Sequence, residues 1–164
     1  MKPKEAGYIL SIDQASNIAG VSLWYDGHLR ATTTLLSKSE KDPFSKRVQG
    51  QLVQLTAFLD CHLPPDLNID KVIFEGVRMR VVIAVIGAFM CCPRIDAKLV
   101  EKANFVESST WKTWAKARGA TGDFRLIKGV KALTEAGWDG AKYPITSDDI
   151  ADSIMMYFAW RDRC

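Results

Sequence analysis

Five carboxylates stand where this chain can put them to joint use. Asp13 follows the apolar run Ile9, Leu10 and Ile12, and Glu75 follows Val72, Ile73 and Phe74. Late in the chain Asp148, Asp149 and Asp152 fall close together, and on a helix either of the first two shares a face with the third. Carboxylates are hard oxygen ligands, suited to Mg²⁺ or Mn²⁺ and wrong for zinc. Gathered without cations they would repel one another strongly. Two such ions about 4 Å apart hold a scissile phosphate and activate water for in-line attack. Each acid also has a local explanation. Asp is common in turns, and Asp148 and Asp149 suit the positive end of a helix. Asp152, one turn in and followed by Ser-Ile-Met-Met, fits neither role well.

The elements around these acids decide whether they meet. Tyr8–Ile12 reads as a buried strand that delivers Asp13 to its carboxyl end, the rim where α/β sheets place their sites. A turn over Gln14–Ala19 leads to Val21, Leu23 and Tyr25, which alternate as in a second strand. Asp26-Gly27 predicts a tight hairpin. The returning strand, Leu29–Leu36, is expected to set Leu29, Ala31, Thr33 and Leu35 on one face. Pro43 opens a helix with the stripe Phe44, Val48, Leu52, Leu55 and Leu59, and Pro64-Pro65 stops it. That helix makes a crossover, so Lys71–Glu75 should lie parallel to the first strand. Asp13 and Glu75 then share one rim.

Val81–Cys92 is apolar on every side, the mark of a helix buried inside the fold or between subunits. Its two stripes are Val82, Val85, Ile86 and Phe89, and Ile83, Gly87 and Met90; which one faces outward is open. Twelve residues are too few to span a bilayer. Pro93 interrupts it, and Arg94–Lys102 is expected to continue as a more polar helix. Asn104–Glu107 reads as a fifth strand. Ser108 or Ser109 is placed to cap a helix over Thr110–Arg118, and Asp123–Ala136 reads as a basic helix. Ser147 caps the last helix, Asp148–Arg161, with Ile150, Ile154, Met155 and Phe158 inward.

Composition narrows the class. With 164 residues, 48% apolar and 25% charged, the chain is expected to form one globular domain, residues 1–164. Met-Lys-Pro-Lys-Glu-Ala lacks the apolar core of a signal peptide, and Cys61, Cys91, Cys92 and Cys164 have no zinc-site or disulfide spacing. A cytoplasmic protein without a membrane span is the expectation. The net charge of +3 conceals a regional bias. From Arg78 to Lys131 eleven Lys and Arg oppose four Asp and Glu; elsewhere eleven oppose fifteen. A basic region beside an acidic site is the footprint of a polyanion partner.

Ser-Ile-Asp-Gln-Ala-Ser-Asn-Ile-Ala-Gly, Val-Ile-Phe-Glu-Gly-Val, Ser-Ser-Thr-Trp-Lys and Asp-Ile-Ala-Asp-Ser-Ile fall in the order seen in RuvC-type Holliday-junction resolvases. Essentially the whole chain resembles that branch of the RNase H-like superfamily, above all its compact bacteriophage members. The resemblance implies an α/β, RNase H-like fold with a mixed five-stranded sheet flanked by helices. It implies a crossover junction endodeoxyribonuclease that cuts branched DNA, especially four-way junctions, as a homodimer. Two Mg²⁺ ions per site, replaceable by Mn²⁺, would be held by Asp13, Glu75, Asp149 and Asp152. By position the resemblance selects Asp149 over Asp148. Lys112 resembles the family's basic catalytic residue, and Arg78, Met79, Arg80, Lys112, Lys116, Arg125 and Lys128 are the expected DNA contacts. If phage-encoded, the protein would work in the host cytoplasm. Two departures stand out. Gln14-Ala15 replaces the usual Pro-Gly, which predicts a less constrained turn, and Arg78 stands near the family's junction-wedging aromatic. Two other classes stay in view: an actin-like or sugar-kinase-type nucleotide-binding fragment, and a DNA-binding scaffold without activity.

Overall fold

The computed structural model describes residues 7–76, 80–95, 103–120, 131, 133–135 and 145–163. Among these residues the named elements follow in order: β1 (Tyr8–Asp13), β2 (Ile18–Tyr25), β3 (His28–Leu36), α1 (Phe44–His62), β4 (Lys71–Gly76), α2 (Arg80–Phe89), β5 (Ala103–Glu107), α3 (Ser108–Ala117) and α4 (Asp148–Arg161). The strands form one mixed sheet in the order β3-β2-β1-β4-β5. β1, β2 and β3 are antiparallel neighbours, while β4 pairs parallel with both β1 and β5. The crossover through α1 therefore produces the parallel β1–β4 pair that its sequence pattern predicts.

Alternation along the strands divides the core into two layers. Ile9, Trp24, Leu29, Ile73 and Val106 pack beneath α3 and α4. Leu10, Ile12, Val21, Leu23, Ala31, Leu35, Val72 and Phe74 pack against α1 and α2. One expectation about faces is corrected here. Leu23 pairs with Ala31 but Trp24 pairs with Leu29, so Arg30 is an extra residue at a β-bulge. The bulge puts Leu29 and Ala31 on opposite faces, whereas strict alternation would keep them together.

α1 buries Val48, Leu55 and Leu59 as its stripe predicts, together with a glutamine, Gln51. α4 is buried on every side from Ile150 to Trp160, more completely than the single inner face its pattern suggests. Its cap is as expected, with the Ser147 hydroxyl accepting from the Ile150 N–H at 3.2 Å. α3 differs. It starts at Ser108, directly after Glu107, whose pairing with Gly76 ends β5. Neither serine is a cap, because the strand passes into the helix with no intervening loop.

Arg94 and Ile95 do not extend a helix after Pro93. Ile95 bridges to Ile69 in parallel, and the Arg94 guanidinium donates to the carbonyls of Pro64 (2.7 Å) and Leu67 (2.8 Å). Residues 96–102, and all but four positions of the expected helix Asp123–Ala136, lie outside the described residues. Among the described residues no helix is long and apolar enough to cross a membrane.

Candidate active site

The β1–β4 register runs as far as Ile12 opposite Phe74, so the next residues, Asp13 and Glu75, come side by side at the carboxyl ends of the two strands. Both belong to the α4 side of the sheet. Two residues before Asp13, the Ser11 hydroxyl donates to the Ser153 carbonyl of α4 at 2.7 Å, and two residues before Glu75, Ile73 joins the α4 core.

On its other flank Asp13 pairs with Gly20. The start of α4 rests directly on that glycine. A Cβ there would lie 1.9 Å from the Asp149 carbonyl oxygen and 2.6 Å from the Ile150 nitrogen. Absence of a side chain at position 20 is thus what lets the first turn of the helix lie directly on β2. Asp148 is exposed, Asp149 is partly buried and Asp152 is only 5% exposed. Carboxylates removed from water to that degree are found paired or bound to cations. β1 and β4 thus set Asp13 and Glu75 at adjacent strand ends, and the start of α4 lies on Gly20, the β2 partner of Asp13.

Glu75 is gripped twice. Its backbone N–H donates to Gln14 Oε1 at 3.0 Å, and its carbonyl accepts from Gln14 Nε2 at 2.8 Å. Its carboxylate Oε1 accepts the Trp111 indole N–H at 2.9 Å. The Lys112 ammonium lies 5.2 Å from the centre of the same Trp111 ring, which brings α3 and its exposed lysine to the site's edge.

The turn after Asp13 is the opposite of loose, contrary to what Gln14-Ala15 in place of Pro-Gly predicts. Gln51 Nε2 donates to the carbonyls of Ala15 (2.9 Å) and Leu35 (3.3 Å), and Arg47 donates to Ser16 Oγ (3.0 Å) and to Asn17 Oδ1. Side-chain hydrogen bonds supply the constraint that a proline ring would otherwise give. Gln14, Gly20, Gln51 and Trp111 all escape a search for charged ligands. Gln51 carries the clearest sequence signal, a polar residue in step with the apolar stripe of α1.

The donor chemistry of the rim fits a hard divalent cation, since every candidate ligand is a carboxylate. Among the described residues, though, no three His, Cys, Asp or Glu side chains are gathered closely enough to hold an ion. Of the expected DNA contacts, Lys112 and Lys116 are exposed one turn apart on α3. Arg78, Met79, Arg125 and Lys128 lie outside the described residues, as do the surroundings of the Arg80 side chain.

Three solved structures share the architecture. RuvC of T. thermophilus in complex with a Holliday junction substrate superposes with a TM-score of 0.58 at 15% identity, covering 93% of this chain and 92% of that one. Another structure of Thermus thermophilus RuvC gives 0.57 at 13% identity, with the same coverage. The Fowlpox virus resolvase in complex with substrate Holliday junction DNA gives 0.51 at 15%, covering 95% of this chain and 97% of that one. No family model and no curated protein sequence matches the chain. The fold is RNase H-like, shared with RuvC and the poxvirus resolvase across nearly its whole length.

Proposed function

We propose that this protein is a metal-dependent, structure-specific endonuclease that cuts branched DNA, resolving four-way junctions by paired phosphodiester hydrolysis. The observation that carries this reading is the shared rim. Asp13 and Glu75 end adjacent parallel strands, and the start of α4, which carries Asp149, lies against Gly20, the partner of Asp13. The fold in which this happens is that of proteins solved with Holliday junction DNA.

Asp13, Glu75, Asp149 and Asp152 would hold the ions, two Mg²⁺ per site with Mn²⁺ able to substitute. Bound there, the metal supplies Lewis-acid polarisation of the phosphate and a nucleophilic water at neutral pH. The chain's own residues do the rest. Asp13 and Glu75 present negative charge at a fixed mutual position, and Trp111 orients the Glu75 carboxylate. Lys112 offers an ammonium to the phosphate, where it offsets charge developing in the transition state. Lys116 extends the basic track along α3, and Arg78, Met79, Arg80, Arg125 and Lys128 belong to the same DNA-facing set on sequence grounds. Paired cuts need two sites related by a two-fold axis, hence a homodimer.

Labelled four-way junction, replication fork, linear duplex and RNA–DNA hybrid, each with and without Mg²⁺, test the proposal directly. Wild-type protein should cut the junction preferentially and only with the metal. Asp13→Asn should bind the junction and leave it intact, because the substitution removes a ligand charge while keeping the volume. Preference for the hybrid would mark a ribonuclease. Junction binding without cleavage in either Mg²⁺ or Mn²⁺ would leave a DNA-binding scaffold, and nucleotide binding without cleavage an actin-like fragment. Full activity in Asp13→Asn would remove the site assignment itself.

A further inference from the structure

The turn after β1 contains a device that the charged residues do not explain. β1 ends at Asp13 and the chain swings away, so the parallel ladder to β4 stops at the level of Ile12 and Phe74. The next rung would have to satisfy the N–H and C=O of Glu75. Gln14 does this with its side chain. Its amide carries one acceptor and a pair of donors, as a peptide group carries one of each, and it meets both main-chain groups of Glu75 at 3.0 and 2.8 Å. The residue is 5% exposed. A buried amide with both ends engaged is rigid, and breaking either bond leaves a polar atom of the rim without its partner.

The two acids are therefore linked by a very short path. Asp13 is bonded to Gln14 through the main chain, and Gln14 is hydrogen-bonded to the main chain of Glu75. The far side of the turn is anchored as well, since Gln51, wholly buried, reaches from α1 to the Ala15 carbonyl. An amide of this length sets the separation of the two strand ends at the one place where the backbone ladder no longer does.

We infer that Gln14 is a positioning residue for the acidic pair, one that fixes the Asp13–Glu75 separation and so sets the affinity of the rim for divalent cations. The inference rests on the nuclease reading above, but its first test does not use cleavage. Outer residues that orient metal ligands change metal affinity or activity by about 10- to 100-fold when removed. Gln14→Met keeps the length and volume and deletes both hydrogen bonds. Mn²⁺ alone, titrated against wild type, Gln14→Met and Asp13→Asn and read by the electron paramagnetic resonance of the free ion, reports the site without any substrate. The expected result is weaker Mn²⁺ binding by about tenfold or more in Gln14→Met, with circular dichroism unchanged.

Junction cleavage then separates positioning from general support. A positioning role lowers kcat while junction affinity holds, and part of the loss returns at high Mn²⁺ concentration. Should Gln14→Met fail to fold, Gln14→Asn serves instead, since its amide stays polar but is too short to reach both groups. Wild-type Mn²⁺ affinity in the folded variant, or a loss of thermal stability with unchanged affinity and unchanged activity per folded molecule, overturns the inference. If instead Asp13→Asn binds Mn²⁺ and cleaves as wild type does, the nuclease site is wrong and this inference falls with it. If wild type and Asp13→Asn differ as proposed and Gln14→Met matches wild type, the role of Gln14 alone is wrong.

Discussion

Asp148 and Asp149 are neighbours with the same chemistry, and their surroundings separate them. Asp148 is exposed on the first turn of α4, while the main chain of Asp149 is pressed against Gly20 beside Asp13. Asp149→Asn should remove most junction cleavage. Asp148→Asn should cost about 0.3–1 kcal/mol of stability, the value of a carboxylate at a helix N-terminus, and leave cleavage close to wild type. Steady-state cleavage and urea denaturation on both variants check this, and the reverse pattern would make Asp148 the partner of Asp152. The strand-end positions of Asp13 and Glu75 were legible in sequence because a hydrophobic run followed by an acid is a local property. Gln14 and Trp111 were not. Their roles depend on which carbonyl or carboxylate lies opposite, and that is set by the β1–β4 register and the approach of α3, not by neighbours in the chain.

At the level of elements, one contact sets how closely α4 approaches the sheet. Gly20 admits α4 to the sheet, and the obstacle to any larger residue is backbone, which has no alternative rotamer to adopt. Gly20→Ala should destabilise the fold by about 1–3 kcal/mol, the usual cost of overfilling a packed contact, and should lower cleavage further by pushing Asp149 and Asp152 outward. Chemical denaturation and activity per folded molecule measure the two effects separately; an alanine tolerated without either would mean that α4 does not need this contact. The Asp26-Gly27 hairpin and the parallel β1–β4 pair followed from turn chemistry, hydrophobic runs and the crossover. The bulge at Arg30 did not, because one extra residue in a strand leaves no mark on an alternating pattern until its partner strand is known. The start of α3 was missed for a related reason, since two serines before a helix read as caps unless the preceding strand already supplies the entry.

For the molecule as a whole, α2 and β5 line an apolar groove, which makes it the face to test for the proposed homodimer. The structure divides α2 differently from the two stripes read in sequence, because Ile86 of the first lines the same groove as Ile83, Gly87 and Met90 of the second. Val85 and Phe89 are fully buried against the sheet layer, while Ile83 is 57% exposed and Gly87 and Met90 line an apolar groove of about 900 Å³ with Phe105 of β5. Ile83→Glu should therefore yield folded protein that is monomeric by light scattering and has lost coordinated paired cutting. Phe89→Glu should unfold instead, because an unpaired charge in the core costs several kcal/mol. Wild-type protein that is monomeric at micromolar concentration, yet still cuts junctions symmetrically, would remove this face from the assembly. The burial of α4 has a consequence for heat and time. A helix enclosed on all sides from Ile150 to Trp160 cannot fray away from its neighbours, so its amide protons should exchange with deuterium only when the entire domain opens. Asp152 rides on that helix and Asp149 begins it. On warming, catalysis should persist up to the cooperative melt and disappear with it, with no inactive but folded state in between.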